Sequence, residues 1–324
     1  MGKLKEIRRP VEEEMKEFQK RFKASVHSDV SLLNIITSYT LRQKGKQVRP
    51  LFVFLTAKML GNITESTYTA ASLIELLHTA TLIHDDVVDE SYERRSMFSI
   101  NALWKSKTSV LLGDYFLSRG LLLAVENNDH DLLSIVSDSM KEMVEGELLQ
   151  LQKTRSLNIT IDDYYEVIRK KTATLIASCT SGAAKSSGVS REVIDHMHEL
   201  GTNIGIAFQI KDDLFDYQER GVIGKPTGND LREKKFTLPL IYSLDNSDKK
   251  EKKNIIRLIS NGSMDNKKID HIVKFVKSKG GLEYAKEKML EYKKNADNIL
   301  HEYPESDARQ SLLDLLQFTI DRSK

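Results

Sequence analysis

The sequence predicts an all-α protein, and two observations lead to that prediction. Apolar side chains recur at spacings of three and four residues along most of the 324-residue chain, which is the pattern of helices buried on one side. Segments that alternate with a period of two residues and are rich in β-branched side chains are nearly absent. We therefore expect a bundle of roughly ten or more helices.

The chain is expected to form a single domain over residues 1–324. Length alone would favour two domains. However, no Pro-, Gly- or Ser-rich linker divides the chain, and its five prolines stand near predicted helix ends or in loops. Because 40% of the residues are hydrophobic, the chain can bury a sizeable core.

The clearest helix is predicted over residues 64–90, where apolar residues such as Leu73, Leu77 and Ile83 form one stripe. Thr64 and Ser66 are candidate caps at its start. Similar patterns predict helices over residues 108–127, 129–153, 160–185 and 190–219. Turns interrupt the later pattern near residues 245 and 261.

Composition excludes several classes of function. The 49 basic and 47 acidic residues leave a formal net charge of +2, which gives no general attraction to nucleic acid or to an anionic membrane. An anionic ligand must therefore be held by local clusters of charge. The single cysteine, Cys179, excludes an intrachain disulfide and fits a reducing compartment.

No targeting or membrane segment is predicted. Acidic residues follow the basic N-terminus where a signal peptide would need an apolar core. The most apolar stretch, Ser109 to Val125, is interrupted by Asp114 and Arg119, so it falls short of the roughly twenty apolar residues of a membrane span. We expect a cytoplasmic protein without stable membrane insertion.

Two acidic clusters suggest the function. The first, near the end of helix 64–90, comprises Asp85, Asp86 and Asp89. The second lies 127 positions later in helix 190–219 and comprises Asp212, Asp213 and Asp216. In each cluster the first and last aspartates are four residues apart, so they stand on one helix face about 6 Å from each other. Gln209 lies on the same face as the second cluster.

These clusters predict a magnesium site. An exposed acidic helix end would explain one cluster about equally well, but it explains two clusters of identical spacing poorly. Like charges at this spacing destabilise a helix, and the C-terminal dipole adds to the repulsion in the first cluster, so a bound cation is expected. Oxygen ligands favour magnesium. The sequence lacks the pattern of an EF-hand loop and the Cys/His spacing of a zinc site.

Basic residues accompany both clusters in the sequence. They occur in the segments Gly45–Pro50, Arg94-Arg95, Lys170–Thr172, Gly224–Gly228 and Lys234–Thr237. Taken singly, each is more often a surface charge, and His78, which shares a helix face with Asp85, is more often a structural histidine. Together with paired aspartates they indicate two bound diphosphates, one held through metal and one held directly by Arg and Lys.

These motifs resemble those of the trans-prenyltransferases, the all-α polyprenyl diphosphate synthases. The two Asp-rich motifs of that family match Asp85–Asp89 and Asp212–Asp216. Its other motifs match Gly45–Pro50, Lys171-Thr172, Gly205–Asp213 and Gly224–Pro226, so the resemblance runs from Gly45 to about Pro239. Two positions depart from the family pattern. Ser96 stands where the family has glycine, and Lys234-Lys235-Phe236 stands where it has Gly-Lys before Thr-Leu-Pro.

The resemblance implies the isoprenoid synthase fold, with helices around a central cavity, and a homodimer. It implies an allylic diphosphate that ionises and is then attacked by isopentenyl diphosphate. The implied ligands of magnesium, about three ions with substrate bound, are Asp85, Asp86, Asp89, Asp212, Asp213 and Asp216. The allylic diphosphate would contact Arg94, Lys171, Thr172, Gln209, Lys225 and Lys235. Isopentenyl diphosphate would contact Lys46, Arg49, His78 and Arg95. The catalytic residues would be Asp85, Lys171, Thr172, Gln209 and Asp212.

The resemblance also bears on product length. In this family a bulky residue four or five positions before the first Asp-rich motif stops chain growth early. Here those positions hold the small residues Thr81 and Ala80. A product of hexa- to octaprenyl size is therefore expected, and a farnesyl or geranylgeranyl product is the alternative.

Three other functions compete with this interpretation. A terpene cyclase would usually carry a different second metal motif and would lack the Lys46/Arg49 loop. A non-catalytic subunit of a heteromeric synthase should have degraded aspartates, whereas these are intact; a catalytic subunit of such a synthase remains an alternative. A binding or scaffold protein would leave two acidic helices unexplained.

Overall fold

Helices dominate the structure, a computed structural model that describes residues 2–43, 45–94, 97–157, 159–217, 228–260, 262 and 264–321. The sixteen α-helices within these residues are α1 (Gly2–Arg8), α2 (Glu12–Ser25), α3 (Ser31–Arg42), α4 (Val48–Met59), α5 (Glu65–Val88), α6 (Ile100–Glu126), α7 (His130–Ser156), α8 (Ile161–Ile168), α9 (Thr174–Ser186), α10 (Arg191–Phe215), α11 (Asn229–Arg232), α12 (Leu238–Asp245), α13 (Lys249–Ser260), α14 (Asn266–Ser278), α15 (Gly281–His301) and α16 (Asp307–Asp321). A 3₁₀ turn (Arg9–Val11) and a π-helical turn (Arg169–Ala173) join neighbouring helices. The strands β1 (Glu93–Arg94) and β2 (Met97–Phe98) form one short antiparallel pair. The all-α prediction is confirmed.

Contacts between Cα atoms divide the chain into two compact units. Unit 1 contains Met1–Met140, Ile176–His198 and Tyr303–Asp314, and unit 2 contains Lys141–Leu175, Glu199–Glu302 and Leu315–Lys324. Each unit is assembled from three separate segments, so no single cut in the sequence separates them. The single-domain organisation stays a prediction.

Helices α5 and α6 form the centre of unit 1. Thr64 caps α5 through a capping box with Thr67, as the sequence predicts for Thr64. Gly113 of α6 lies against the His84 ring, and Gly120 lies against Leu73 and Leu77 of α5. Because the later glycine meets the earlier part of α5, the two helices run antiparallel. Their glycines allow a close approach that buries the apolar face of α5.

Helix α6 begins at Ile100, eight residues before the predicted start at 108. Ser99 caps it by accepting a hydrogen bond from the Ala102 amide at 3.0 Å. The periodic pattern fails near Lys105 because that residue has non-helical backbone angles, φ 69° and ψ 165°. The helix therefore continues through a kink, and its first two turns cannot be recognised from the apolar periodicity of the sequence.

The outer face of α6 leaves large apolar side chains exposed. They are Leu103, Val110, Leu111, Leu121, Leu122 and Val125. By length and mean hydropathy this helix meets the requirement for a membrane span, in contrast to the prediction for Ser109–Val125; only 33% of its most apolar window is buried. The same measure also accepts core helices of proteins that do not enter membranes. The physical reason for the difference is that Asp114 and Arg119 are too few to lower the mean hydropathy of the helix.

Unit 2 places a π-helical turn between α8 and α9. The sequence predicts one unbroken helix over residues 160–185, whereas Arg169–Ala173 forms a wider turn inside it. A methyl group at Gly205 of α10 would lie 2.4 Å from the Ala173 Cα, and one at Gly146 of α7 would lie 2.8 Å from the Lys171 backbone nitrogen. Two glycines thus bring α7 and α10 against the turn that carries Lys171 and Thr172.

Candidate active site

The first acidic cluster presents two exposed carboxylates and one buried carboxylate. Asp85 lies in the last turn of α5 and Asp89 is its C-terminal cap, and both are exposed. Asp86 is only 2% exposed. The negative end of the helix dipole adds to the repulsion between these carboxylates, so this end of α5 favours a bound cation.

Asp86 is held by Arg94 of strand β1. Arg94 Nε donates to the two carboxylate oxygens at 3.0 and 2.9 Å, and its Nη2 donates to Oδ1 at 2.6 Å. This fork neutralises the buried charge and ties the β1–β2 pair to the end of α5. In this arrangement the Arg94 guanidinium is bound to the Asp86 carboxylate, and Asp86 holds it beside the cluster. The neighbouring Arg95 and Ser96 lie outside the described residues.

A cavity of about 330 Å³ opens beside the cluster within unit 1. Its wall combines polar groups with apolar side chains, and includes His78, Asp86 and Arg94, the loop residues Gly45 and Gln47, Lys20 and Lys23 of α2, and Phe22, Leu41, Leu82, Ile83 and Ile100. This volume lies at the small end of the range for ligand pockets, about 300–1,000 Å³. A short apolar group with a charged head would match such a lining.

The Gly45–Pro50 motif bridges α3 and α4. Gln47 takes the left-handed conformation at φ 49°, and its side chain accepts a hydrogen bond from Gln19 of α2 at 2.9 Å. The backbone carbonyl of Lys46 accepts from Arg8, while the Lys46 side chain is exposed and Arg49 is half-buried. The loop is thus held by two N-terminal residues that the motif alone does not reveal.

The π-helical turn of unit 2 carries the cationic side chains of Lys170 and Lys171. Lys171 contacts Glu147 and donates to Gln150 Oε1 at 2.7 Å, both on α7. Lys170 forms an ion pair with Glu145 at 2.8 Å. The wider turn places successive lysines against different acceptors of α7, and π turns of this kind often occur at functional sites.

Four side chains of unit 2 form one hydrogen-bonded chain. Thr172 Oγ1 donates to Gln209 Oε1 at 2.8 Å, and Gln209 Nε2 donates to Asp213 Oδ1 at 2.8 Å. The Tyr164 hydroxyl donates to the other oxygen, Asp213 Oδ2, at 2.6 Å. Asp213 is 4% exposed. Burial, with the nearby Asp230 carboxylate, raises the pKa of Asp213 to about 7 although both hydrogen bonds oppose the shift.

Asp216 has a structural partner of its own. Its carboxylate accepts from the backbone amides of Gly228, Asn229 and Asp230 at 2.9, 2.8 and 3.0 Å, and so caps the start of α11. Burial raises the pKa of the Asp216 carboxyl despite these bonds. Asp212, in contrast, is half-buried on the predicted ligand face of α10.

Asp230 and Lys235 extend the same region. Burial and the Asp216 charge raise the pKa of Asp230 to about 6, while Lys235 and Lys171 act against this shift. Lys235 is paired with Glu233. Burial acts to lower the pKa of the Lys235 ammonium group, but this pairing and the charge of Asp230 outweigh it, so the pKa is raised overall. Lys225 and Pro226 lie outside the described residues.

The donor set fits magnesium without forming a complete cage. No three His, Cys, Asp or Glu side chains converge on one point in the described part of the chain. Magnesium usually keeps several waters and binds one or two carboxylates together with substrate phosphates. Asp85 and Asp89 of unit 1 offer such a pair, and Asp212 of unit 2 is a further carboxylate. Asp86, Asp213 and Asp216 accept hydrogen bonds from protein donors.

The residues predicted to set product length lie on α5. Ala80 is fully buried. Thr81 is half-buried, and its hydroxyl donates to the His78 carbonyl at 2.8 Å. That local bond satisfies the Thr81 hydroxyl, so the position presents mainly its methyl group to its surroundings.

Sequence reasoning missed several residues of these sites. Tyr164 and Asp230 contact or perturb the second cluster, and Lys20 and Lys23 line the cavity of unit 1. One signal was available for Tyr164, because in the unbroken helix that the sequence predicts it lies seven residues, or two turns, before Lys171. None was available for the lysines of α2, since a lysine on a helix is an ordinary surface residue.

Comparison with known proteins gives a consistent result. A family model described as polyprenyl synthetase matches residues 30–276. The all-trans-nonaprenyl-diphosphate synthase (geranyl-diphosphate specific) of Rhodobacter capsulatus is 34% identical over 319 residues, which cover 98% of this chain and 97% of that protein.

Two solved structures also resemble the chain over almost its full length. A decaprenyl diphosphate synthase from Rhodobacter capsulatus has a TM-score of 0.93 and 31% identity, and 99% of each chain is covered. A geranylgeranyl pyrophosphate synthase from Bacteroides thetaiotaomicron has a TM-score of 0.84 and 36% identity, with 99% of this chain and 100% of that chain covered.

Proposed function

Because the chain belongs to the polyprenyl synthetase family, we propose that it joins isopentenyl diphosphate repeatedly to an allylic diphosphate and releases a long prenyl diphosphate. The observation that supports this most directly is the chain Thr172–Gln209–Asp213 beside Lys171. It combines a diphosphate-binding cation with oriented oxygen atoms, and a reaction that generates an allylic cation next to a departing anion needs both.

Magnesium would be held by Asp85 and Asp89 of α5 and by Asp212 of α10. When bound, it supplies charge stabilisation to the diphosphate as the carbon–oxygen bond breaks. Asp86, Asp213 and Asp216, which accept hydrogen bonds from protein donors, are proposed in supporting roles. Asp86 in particular keeps Arg94 close to the first cluster.

The allylic diphosphate would be bound by Lys171 and Lys235, together with Arg94 and Lys225. The ammonium groups of Lys171 and Lys235 pair with Glu147 and Glu233, which keeps these cations near the second cluster before substrate arrives. A diphosphate carries more charge than a carboxylate and can displace these partners. Thr172 and Gln209 then present oxygen atoms to the developing cation.

Isopentenyl diphosphate would occupy the cavity of unit 1. The apolar wall formed by Phe22, Leu82 and Ile83 suits its five-carbon chain, and His78 suits its diphosphate. Lys46, Arg49 and Arg95 are proposed as further contacts. Holding the double bond and the allylic carbon in register can lower the barrier by about 7–11 kcal/mol, and the released diphosphate is the proposed base for the final proton.

The product is proposed to be hexa- to octaprenyl in length. Small side chains at Ala80 and Thr81 would leave room for a growing chain, as the family resemblance implies, and the nonaprenyl and decaprenyl synthases among the relatives agree with a long product. A shorter product is the alternative, because a structure named geranylgeranyl pyrophosphate synthase shares 36% identity with the chain.

The exposed apolar face of α6 supports a homodimer. Leu111, Leu122 and Val125 lie on the side of the helix opposite Gly113 and Gly120, which face α5. Apolar stripes of this kind are typical of a surface that another chain covers. A second copy is the proposed partner, and localisation in the cytoplasm stays a prediction.

The test is a product assay on the purified protein alone. With magnesium, farnesyl diphosphate and labelled isopentenyl diphosphate, we expect a ladder of products that ends at hexa- to octaprenyl length. Asp85→Asn should lower kcat by about 100- to 1,000-fold, the usual effect of losing one preorganised electrostatic group. Removing magnesium with a chelator should abolish the ladder.

Glu90→Gln is the matched control, because Glu90 is an exposed carboxylate at the same end of α5 and has no proposed role. It should retain wild-type activity. No product from the wild-type protein with any allylic primer would contradict the proposed function. A product of geranylgeranyl size or shorter would preserve the reaction and contradict the proposed length.

A further inference from the structure

Tyr164 is the one member of the buried chain in unit 2 that no sequence motif identified. It lies on α8, is 3% exposed, and donates its hydroxyl hydrogen to Asp213 Oδ2 at 2.6 Å. The other oxygen of Asp213 accepts from Gln209. Both oxygens of this carboxylate therefore have a donor, and the two donors come from different helices.

The direction of each hydrogen bond follows from what the groups can donate. Asp213 accepts at both of its oxygens, so the Gln209 amide turns its NH₂ group towards it. The amide oxygen of Gln209 then faces Thr172 and accepts its hydroxyl hydrogen at 2.8 Å. Since that hydrogen is used, the Thr172 hydroxyl can offer only lone pairs to any other group.

We infer that Tyr164 is a positioning residue for the prenyl transfer: by locking Asp213 it sets the orientation of the Gln209 amide, so that the Thr172 hydroxyl faces the allylic substrate as a pure hydrogen-bond acceptor. This inference rests on the proposed function. Electron-rich oxygen atoms stabilise a positive charge that develops on carbon. If the amide were inverted, Thr172 would accept from Gln209 and would point its own hydrogen at the cation.

Removing the Tyr164 hydroxyl should therefore reduce the rate more than it reduces binding. In Tyr164→Phe one oxygen of the buried carboxylate loses its donor, and Asp213 and the Gln209 amide can both reorient. We expect kcat to fall about tenfold, the effect of one lost positioned hydrogen bond. The KM for isopentenyl diphosphate and the affinity for a non-reactive allylic diphosphate analogue, measured by calorimetry, should stay within about twofold of wild type.

Tyr165→Phe is the matched control. Tyr165 is the next residue of α8, and its hydroxyl is buried without a hydrogen-bond partner among the described residues. Losing that hydroxyl should leave kcat unchanged. Activity in the wild-type protein and in this variant shows that the proposed function holds, so a negative result for Tyr164 can be separated from failure of the proposed function.

A double-mutant cycle with Thr172→Val distinguishes positioning from a general structural role. If Tyr164 acts through Thr172, the loss in kcat from Tyr164→Phe should nearly disappear once the Thr172 hydroxyl is absent. If the two losses multiply, or if Tyr164→Phe has no larger effect than Tyr165→Phe, the inference is overturned.

Asp213→Asn provides a second route if Tyr164→Phe does not fold. Asparagine can accept from Tyr164 with its oxygen and turn its NH₂ group towards Gln209, which inverts the amide. The variant should show the same tenfold loss in kcat and no further loss when it is combined with Thr172→Val, relative to Thr172→Val alone. The magnesium concentration for half-maximal binding of the analogue should be unchanged. A large increase in that magnesium concentration would instead make Asp213 a metal ligand and overturn the inference.

Discussion

Individual aspartates of one motif have different environments in this protein. Asp212, Asp213 and Asp216 share a helix face, yet Asp213 is buried between two donors and Asp216 caps α11. Periodicity places the three together because spacing on a helix is local. The environments of Asp213 and Asp216 depend on Tyr164 and on the amides of residues 228–230, and these come from other parts of the chain.

Lys234 is a departure from the family pattern whose backbone conformation only the structure shows. It occupies the position where the family has glycine and adopts φ 57°, the left-handed region that glycine enters without strain. Its ammonium group donates to the Ser260 carbonyl at 3.2 Å. The backbone shape expected of glycine is thus retained here by a lysine, and the following Lys235 keeps its place near Asp230. The other departure, Ser96, lies outside the described residues.

At Ala80 we predict control of product length. Replacing this fully buried methyl group with the ring of tyrosine should block the space for the growing chain and shift the products to geranylgeranyl size or shorter. Chromatography of the labelled products measures this directly. Ala80→Ser is the control and should leave the length distribution unchanged.

The melting temperature must accompany that comparison, because overpacking a core position typically costs about 1–3 kcal/mol. A folded Ala80→Tyr protein that still makes the wild-type product would show that the chain does not grow past this position.

At the scale of elements, glycines decide how closely the functional helices approach. Gly205 of α10 allows contact with the π-helical turn, and Gly113 and Gly120 of α6 allow contact with α5. The family motif identifies Gly205 but gives no reason for it. The structure supplies the reason, since only a residue without a Cβ lets α10 lie against Ala173.

Gly205→Ala should therefore be destabilising. The new methyl group would lie 2.4 Å from the Ala173 Cα, a backbone atom that cannot turn away. We expect a loss of about 1–3 kcal/mol in the free energy of unfolding and a fall in activity as Thr172 moves. Denaturant unfolding monitored by circular dichroism measures the first effect, and the product assay measures the second.

Gly120→Ala is the contrasting substitution within the same fold. Its methyl group would meet Leu73 Cδ1 at 3.3 Å and Leu77 Cδ2 at 3.5 Å, which are the ends of side chains that can adjust. Since alanine is a better helix former by up to about 1 kcal/mol, this variant should be neutral or slightly stabilised. Equal destabilisation of the two variants would contradict the proposed role of close backbone approach.

At the scale of the whole molecule, the exposed apolar face of α6 is a feature that a single copy of the chain leaves in water. Its apolar residues give the helix enough hydropathy for a membrane span, while its inner face packs on α5. A second copy would cover this face and remove it from water, as apolar burial favours. The oligomeric state in solution shows whether a second copy of the chain covers this face.

Leu122→Glu should weaken self-association. Leu122 is 47% exposed on α6, and a carboxylate buried there against a partner would lack a counter-charge. Sedimentation velocity should show wild type at about twice the 37.0 kDa mass of the chain and the variant shifted towards a single copy. Leu290→Glu on α15, where the leucine is 46% exposed, should keep the wild-type mass. A wild-type protein that sediments as one copy would contradict the homodimer.

The sequence by itself determined the fold class, the family and the helices that carry the two acidic motifs. These features depend on periodicity, on capping residues such as Thr64 and on aspartate spacing, and all of these act within a few residues along the chain. The π-helical turn, the kink at Lys105, the Arg94–Asp86 fork and the Tyr164–Asp213 bond depended on tertiary structure. The Tyr164–Asp213 bond joins segments distant in sequence, and the Arg94–Asp86 fork requires the β1–β2 pair to fold back against α5. No local pattern encodes burial and donors of this kind.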